Sequence, residues 1–412
     1  MSSRPSTLPA GPAGLARGKV RAPLLLQAAL VAAALTLYAL VLGQATQRHE
    51  DYNAYLKAAQ DFLGGQPLYT TFLQHPFPDP TLRPAYIYPP AFALLFAPFA
   101  LLPGWVGAVS WLLICQVALT ATLVVVLRAE RATSWAVTAL LCLTFTFYPL
   151  WVDAVQGQAN LPILLLVTAG IVGVVRGRPA WAAAIGTAAA LKLTPLLLLA
   201  WLLAERRFRA AAWLVVGFAL VTAAGALVRF DDTITFFTRV LPALGGGTAF
   251  YANQSVAGLV GRVLAKNPYT DPWLALPGEG LLVAAVAALL CAFWVWRRRR
   301  VSPLAAALAF LPLLPLLSAV TWPHHLVILL PVIWLSVIAL ERRGWPLAPT
   351  LTLAGLTLVM SLVARWPTVP AFGAPGFRAA QTMDPLVFVV VNSLAIATLV
   401  FFLGAPWLLR SR

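Results

Sequence analysis

Charge is scarce in this chain. Only 10% of its 412 residues are Asp, Glu, Lys or Arg, against 61% hydrophobic ones. Soluble domains carry about 25% charged residues, so a water-soluble fold is excluded. Acids are the scarcer sign, 13 against 29 basic residues. Cysteine is nearly absent, and Cys115, Cys142 and Cys291 all fall inside apolar runs. They act there as small hydrophobes, which excludes a disulfide framework and a thiolate metal site. There is no glycine-rich nucleotide loop and no i, i+4 histidine pair of the zinc-protease kind. No pair of segments alternates as barrel strands do, so any spans are expected to be helical.

What is there is one apolar run after another. Pro23–Gly43, Trp105–Leu127, Trp135–Trp151, Leu161–Val175, Ala210–Val228, Gly280–Trp296, Trp322–Leu340, Leu347–Ala364 and Pro385–Leu409 all read as spanning helices. The net charge of +16 does not call for nucleic acid. The arginines sit in short connections, where basic residues set topology. Arg297–Arg300, after a Trp-rich helix end, reads as an interface anchor. The polar, basic stretch before the first run has no small-residue cleavage site after that run. A retained first helix is expected, behind a disordered cytoplasmic tail at 1–21.

Charge then orders the spans. With the N-terminus in the cytoplasm, residues 44–103 form a long outer segment, and 229–277 form a second. The apolar stretch 180–204 creates a parity problem. Crossed once, it exports Arg206, Arg207, Arg209 and every later basic block. A re-entrant hairpin with its tip near Lys192 and Pro195 keeps them all inside. Each arm has about 12 residues, roughly 18 Å, too short for about 30 Å of hydrocarbon. The rival, a true span at 86–102 with one crossing at 180–204, exports Arg128, Arg131, Arg176 and Arg178. The preferred fold is all-α: a polytopic bundle of about 12 membrane segments, with both termini cytoplasmic and one integral-membrane domain over 22–410.

Several polar residues stand out on the outer side. Asp51 opens a helix that runs to about Leu63 and is stopped by Gly64 and Gly65. It is either a plain helix cap or a chemical group. Pro89 and Pro90 start another helix, which puts Tyr88 at the interface, as an aromatic-belt residue or a substrate contact. Asp153, Gln156, Gln158 and Asn160 form a polar cluster suited to hydroxyl or sugar recognition. Lys192 lies in mid-stretch, where an ammonium costs about 2.5–3.5 kcal/mol and calls for an anionic partner. Snorkelling is the alternative. Asn253, Gln254 and Ser255 look like a helix start. Pro323 begins a span whose His324 and His325 face an outer cavity, where a helix N-terminus favours an anion. Phosphate contact suits this pair better than metal ligation.

At these residues the chain resembles glycosyltransferase family eighty-seven, membrane enzymes of the glycosyltransferase-C class that include mycobacterial mannosyl- and arabinofuranosyltransferases. The resemblance covers roughly 48–345. It rests on Asp51-Tyr52-Asn53-Ala54-Tyr55, Gly64-Gly65-Gln66-Pro67-Leu68-Tyr69, Tyr86-Ile87-Tyr88-Pro89-Pro90, Gly157-Gln158-Ala159-Asn160, Ala190-Leu191-Lys192-Leu193-Thr194-Pro195, Asn253-Gln254-Ser255 and Trp322-Pro323-His324-His325. Each motif is short; their order and number make the match. The family often has an acidic residue before the histidine pair, where this chain has Pro323. That leaves the division of labour between His324 and His325 open.

The resemblance implies sugar transfer from a polyprenyl monophosphate, mannose favoured, to a lipid or glycan acceptor. The reaction would occur on the extracytoplasmic face of a bacterial plasma membrane. It makes Asp51 the catalytic base, of a reaction expected to invert; Lys192, His324 and His325, from their own placement, are the expected ligands of the donor phosphate. Tyr55, Tyr86, Tyr88, Gln158, Asn160, Asn253 and Gln254 are the expected substrate contacts. No cofactor is required, and a divalent cation is compatible. A transporter or polyprenyl-phosphate flippase is the competing class, since broken helices and a buried lysine suit it too. Against that class, the two halves show no evident repeat.

Overall fold

The computed structural model describes residues 24–75, 85–365 and 374–410. The expected tail at 1–21, and Asp79 in the first polar segment, lie outside them. Every regular element among the described residues is helical. Six helices are long and apolar enough to cross a membrane, and eight spans result if each of two bent pairs counts as one. That is fewer than about 12 segments. The difference lies in short apolar pieces. Asn160–Val175, for example, has 16 residues, about 24 Å of helix.

The first half runs α1 (Leu24–Arg48), α2 (Glu50–Leu63), α3 (Thr70–Gln74), α4 (Pro90–Ala100), α5 (Gly104–Ala129), α6 (Ser134–Thr146), α7 (Tyr148–Gln156) and α8 (Asn160–Val175). Then come α9 (Ala182–Leu191), α10 (Leu198–Ala204) and α11 (Phe208–Val228). The expected straight span Trp135–Trp151 is a bent pair, with α6 and α7 meeting at 52°. Pro149 in the first turn of α7 explains the break, because it cannot continue α6. Pro385–Leu409 is likewise bent, by 71°, between Pro385–Val391 and Ser393–Leu408. The later span Pro323–Arg342 runs through the middle. It is 83% buried, against 11–33% for the other five long helices.

The arginine blocks gather at one end of this bundle. Arg176 donates to the Arg128 carbonyl and Arg207 to the Val174 carbonyl. Arg298 bonds the Ala204 carbonyl and pairs with Glu205 at 2.5 Å. Arg342 pairs with Glu130 at 2.6 Å, and Arg343 donates to the carbonyls of Trp407 and Leu408. The start of α1 lies here too, since Gln27 accepts from Thr138 in the first turns of α6. The first and last described helices therefore begin and end at the same end.

The segment 180–204 is a broken hairpin. Its start returns against α8: a side chain on Gly173 would meet Trp181, and one on Gly170 would meet Ile185. Its far end comes back to Val174 through Arg207. Lys192, between the arms, reaches Asn160 at the opposite end of α8. The rival span at 86–102 is α4, whose 11 residues measure about 17 Å, too short to cross. Beyond the hairpin, α9 and α11 pack closely through glycines. A Cβ on Gly186 would lie 2.0 Å from the Leu214 carbonyl oxygen, and one on Gly217 would lie 2.3 Å from that of Ala183. Small residues permit this approach between membrane helices.

Candidate active site

The end away from the arginines holds a different kind of polar cluster. It begins with α2, whose Tyr52, Tyr55, Ala58, Ala59 and Phe62 recur at helical spacing and are buried. Asp51 sits in its first turn and does not cap it. The cap position is His49, which makes no side-chain cap bond. The Asp51 carboxylate instead accepts from Gln158 Nε2 at 2.7 Å, across to the connection between α7 and α8.

That connection depends on Gly157. It ends α7 in the left-handed region, at φ 67°. A Cβ there would also lie 2.8 Å from Cβ of Tyr52. Any other residue would therefore be strained and would push α2 away. Trp111 Nε1 holds the Gly157 carbonyl at 2.9 Å. The two amides after it serve opposite sides. Gln158 Oε1 accepts from Tyr55 at 2.8 Å and from Tyr88 at 3.2 Å, while its Nε2 serves Asp51. Asn160 Nδ2 donates to Asp153 at 2.7 Å and to the His324 carbonyl at 3.3 Å, while its Oδ1 accepts from Lys192 at 2.5 Å. Each amide is thus fixed in one orientation by its partners.

Lys192 is presented by the break in the hairpin. It leaves α9 in an extended conformation, and a short 3₁₀ turn at Thr194–Leu197 follows. Its Nζ lies 3.4 Å from Tyr88 Oη and 5.3 Å from the centre of the Tyr88 ring. Among the described residues it makes no ion pair. The anionic partner expected for it is not in direct contact. Asp153 stands one amide further off and is fully buried, with Oδ2 unpartnered. Sequence reasoning saw Asp153 only as the charged member of a polar loop. A lone carboxylate in the apolar run Trp135–Trp151 plus two residues was the available signal.

A small cavity joins Lys192 to the second half of the chain. Its walls include Asn160, Lys192, Pro195, Pro315, Thr321 and His325. The backbone N–H of Trp322 donates to His325 Nδ1 at 3.3 Å, so neutral His325 carries its proton on Nε2. His324 is buried with both ring nitrogens unpartnered, edge-on to His325 with ring centres 4.6 Å apart. The stretch Pro323–Leu329 is a 3₁₀ helix rather than the expected α-helical start. Only His325 of the pair lines the cavity with Lys192. Among the described residues no three His, Cys, Asp or Glu side chains cluster as metal ligands would.

Burial raises the Asp51 carboxyl to about 6. The Gln158 hydrogen bond and the Lys192 charge pull the other way, and Glu50 adds to the rise. Burial also pushes the Tyr55 phenol well up, so it remains a neutral donor.

Three residues expected to touch substrate lie outside this network. Tyr86 Oη donates to the Pro89 carbonyl at 2.7 Å, and its ring stacks on Tyr69, bracing the turn into α4. Asn253 ties its own loop to 319–321: Nδ2 donates to the carbonyls of Thr248 and Ala319, and Oδ1 accepts from Thr321 N. Gln254 serves the break at Asn392, donating to the Val391 carbonyl and accepting from Ala395 N. Both amides satisfy backbone groups, as irregular membrane-depth backbone requires. Tyr55, Tyr88, Gln158, Asn160, Lys192 and Asp51 form one bonded set.

The family model for glycosyltransferase family 87 matches residues 86–319. The chain belongs to that family. It is a multi-pass membrane glycosyltransferase, which decides against the flippase and transporter alternative. A polyprenol-phosphate-mannose-dependent alpha-(1-2)-phosphatidylinositol mannoside mannosyltransferase of Mycobacterium tuberculosis is 30% identical over 334 residues, 75% of this chain and 75% of that one. A polyprenol-phosphate-mannose-dependent alpha-(1-2)-phosphatidylinositol pentamannoside mannosyltransferase of Mycolicibacterium smegmatis is 28% identical over 377 residues, 85% of each chain. An alpha-(1->3)-arabinofuranosyltransferase of Mycobacterium tuberculosis is 31% identical over 215 residues, 51% of this chain and 48% of its own. No solved structure matches the chain.

Proposed function

We propose that this glycosyltransferase moves a sugar, mannose favoured, from a polyprenyl monophosphate to a hydroxyl of a lipid or glycan acceptor. The relatives' dependence on polyprenol-phosphate-mannose supports the donor. The reading rests on one observation: Asp51 and Lys192 belong to the same amide–phenol network, and among the described residues neither is neutralised by an ion pair.

The acceptor hydroxyl binds beside Asp51. Its proton passes to the carboxylate as its oxygen bonds to the anomeric carbon. The bond from that carbon to phosphate oxygen breaks, its electron pair leaves with polyprenyl phosphate, and the configuration inverts. General base catalysis of this kind contributes about 10²–10⁴-fold. Lys192 and the Nε2–H of His325 stabilise the charge gained by the leaving phosphate. His324 supports that ligand from behind, and Tyr55, Tyr88, Gln158 and Asn160 orient the reacting groups. The cavity between Lys192 and His325 measures about 30 Å³, close to one water molecule, so the donor phosphate enters only as its walls part. No divalent cation is needed in this scheme, and a chelator should leave the rate unchanged.

The same proposal puts the Asp51 end on the extracytoplasmic face of a bacterial plasma membrane. It puts the arginine end and both termini in the cytoplasm, with about 12 membrane segments including short ones. The test is transfer by purified protein in lipid nanodiscs, given polyprenyl-phosphate mannose and a panel of glycolipid acceptors. Wild type should transfer mannose, and Asp51→Asn should lose about 10²–10⁴-fold in kcat. Near wild-type transfer by Asp51→Asn would remove Asp51 as base. No transfer by wild type from any polyprenyl-phosphate sugar would remove the donor class.

A further inference from the structure

A large charged cavity lies away from the Asp51 end. It opens at the arginine end, between the turn from α10 to α11 and the turn that follows the span Glu279–Arg300. Its volume is about 640 Å³. Arg206, Arg207, Arg298 and Arg299 line it, with Glu205 as the one carboxylate. Arg298 is committed to Glu205 and to the Ala204 carbonyl, and Arg207 to the Val174 carbonyl. Arg206 and Arg299 are exposed, and their guanidinium groups make no hydrogen bond or ion pair with the described residues. The cavity therefore carries an excess of positive charge, including two free guanidinium groups from two different turns.

Arg206 is also held against its local preference. It sits just past the end of α10 with φ 53°, in the left-handed region. Its N–H closes on the Leu203 carbonyl and that of Arg207 on the Leu202 carbonyl, a helix-ending turn that favours glycine. Gly177, Gly344 and Trp345 occupy left-handed positions in other turns at this end. Here an arginine takes the position. A strained conformation of this kind points to a use for the side chain.

The surroundings are apolar on the membrane side. Phe208 and Trp296 flank the turns with 63% and 59% of their surface exposed. A second crevice shares Arg298, Val301 and Ala306 with the cavity and is otherwise lined by Phe293, Trp294, Phe402 and Pro406 among others. That crevice measures only about 10 Å³, so an acyl chain attached to a phosphate in the basic cavity would run outside it, along the exposed faces of Phe208 and Trp296.

We propose that this cavity binds the phosphate headgroup of an anionic phospholipid, with Arg206 and Arg299 as its charge partners. Basic pockets between membrane helices on the cytoplasmic side bind lipid phosphates in this way. The site is separate from the donor site, which lies at the opposite end of the bundle. It stands whether or not the proposed donor is correct.

The test is lipid binding by the full-length purified protein. The protein is stripped of native lipid in a neutral detergent and titrated with phosphatidylglycerol or phosphatidylcholine, with bound lipid counted by native mass spectrometry. Arg206→Gly suits the backbone at this position, so the variant should fold at least as well as wild type. Arg206→Gly and Arg299→Gln should each weaken phosphatidylglycerol binding about fivefold, and the double variant about twentyfold. Millimolar inorganic phosphate should not displace the lipid. Equal affinity of wild type and double variant, or equal binding of the two lipids by wild type, overturns the proposal. Displacement by inorganic phosphate at low millimolar concentration makes it a free-anion site and also overturns it.

Discussion

The two ends of the bundle handle charge in opposite ways. At the arginine end Arg176, Arg207, Arg298, Arg342 and Arg343 bond backbone carbonyls, and Glu130 and Glu205 are paired directly with Arg342 and Arg298. At the other end Asp51, Asp153 and Lys192 are kept apart by amides, Gln158 bonding Asp51 and Asn160 standing between Asp153 and Lys192. Direct pairs neutralise and anchor. Charges separated by oriented amides stay available to a substrate, at the cost of desolvation that nothing inside the protein fully offsets. The first arrangement fixes helix ends; the second, in the proposed mechanism, serves chemistry.

If that contrast holds, the largest effects belong to the amide-separated charges. Lys192→Met should lower kcat about 10²–10³-fold by removing charge stabilisation from the leaving phosphate. It should leave thermal stability equal or higher, since an unpaired ammonium no longer has to be buried. Loss of activity together with loss of fold would instead make Lys192 a structural residue.

Next comes the turn that carries both amides. Gly157→Ala forces a side chain onto Tyr52 in a left-handed conformation, so Gln158 and Asp51 separate. Misplacement of about 1 Å can cost about 10²-fold in rate. Steady-state kinetics with an intact circular-dichroism spectrum would isolate the effect. An unchanged rate would show that the α2 contact does not position Asp51.

The acid side of the pH profile sharpens the comparison further. Asp51 must be ionised to take a proton. Its carboxyl is raised to about 6, so kcat/KM should fall about tenfold per pH unit below about 6 and level off above it. Gln158 favours the ionised form. Gln158→Leu should therefore move this limb to higher pH, and a limb that moved to lower pH would contradict the assignment. The smallest effect is expected at the other end. Arg342→Ala breaks an exposed pair with Glu130 worth about 0–1 kcal/mol and should leave transfer kinetics at wild-type values. A large loss of activity there would end the contrast between the two regions.

Much of the site was legible as sequence. Asp51 at a helix start, the stop at Gly64, the start of α4 at Pro90 and the cap at Ser255 all follow from local backbone rules. Lys192 was legible because a charge in an apolar stretch has few structural uses. Asn253 and Gln254 were not. An amide that binds sugar and an amide that satisfies a broken helix have the same composition, and only the carbonyls around them tell the two apart. The bends at Phe147 and Asn392 were hidden for a related reason: continuous hydropathy does not register a change of direction.

Composition and charge by themselves determined that this chain crosses a membrane as helices and gathers its arginines at one end. Lipid leaves the backbone no other way to satisfy its polar groups, and loop arginines set orientation. Tertiary structure decided which polar residues meet. Asp51, Gln158 and Lys192 are joined only because Gly157 lets α2 close on the start of α8 and the hairpin break carries Lys192 back to Asn160. Those are long-range contacts, and no local rule along the chain contains them.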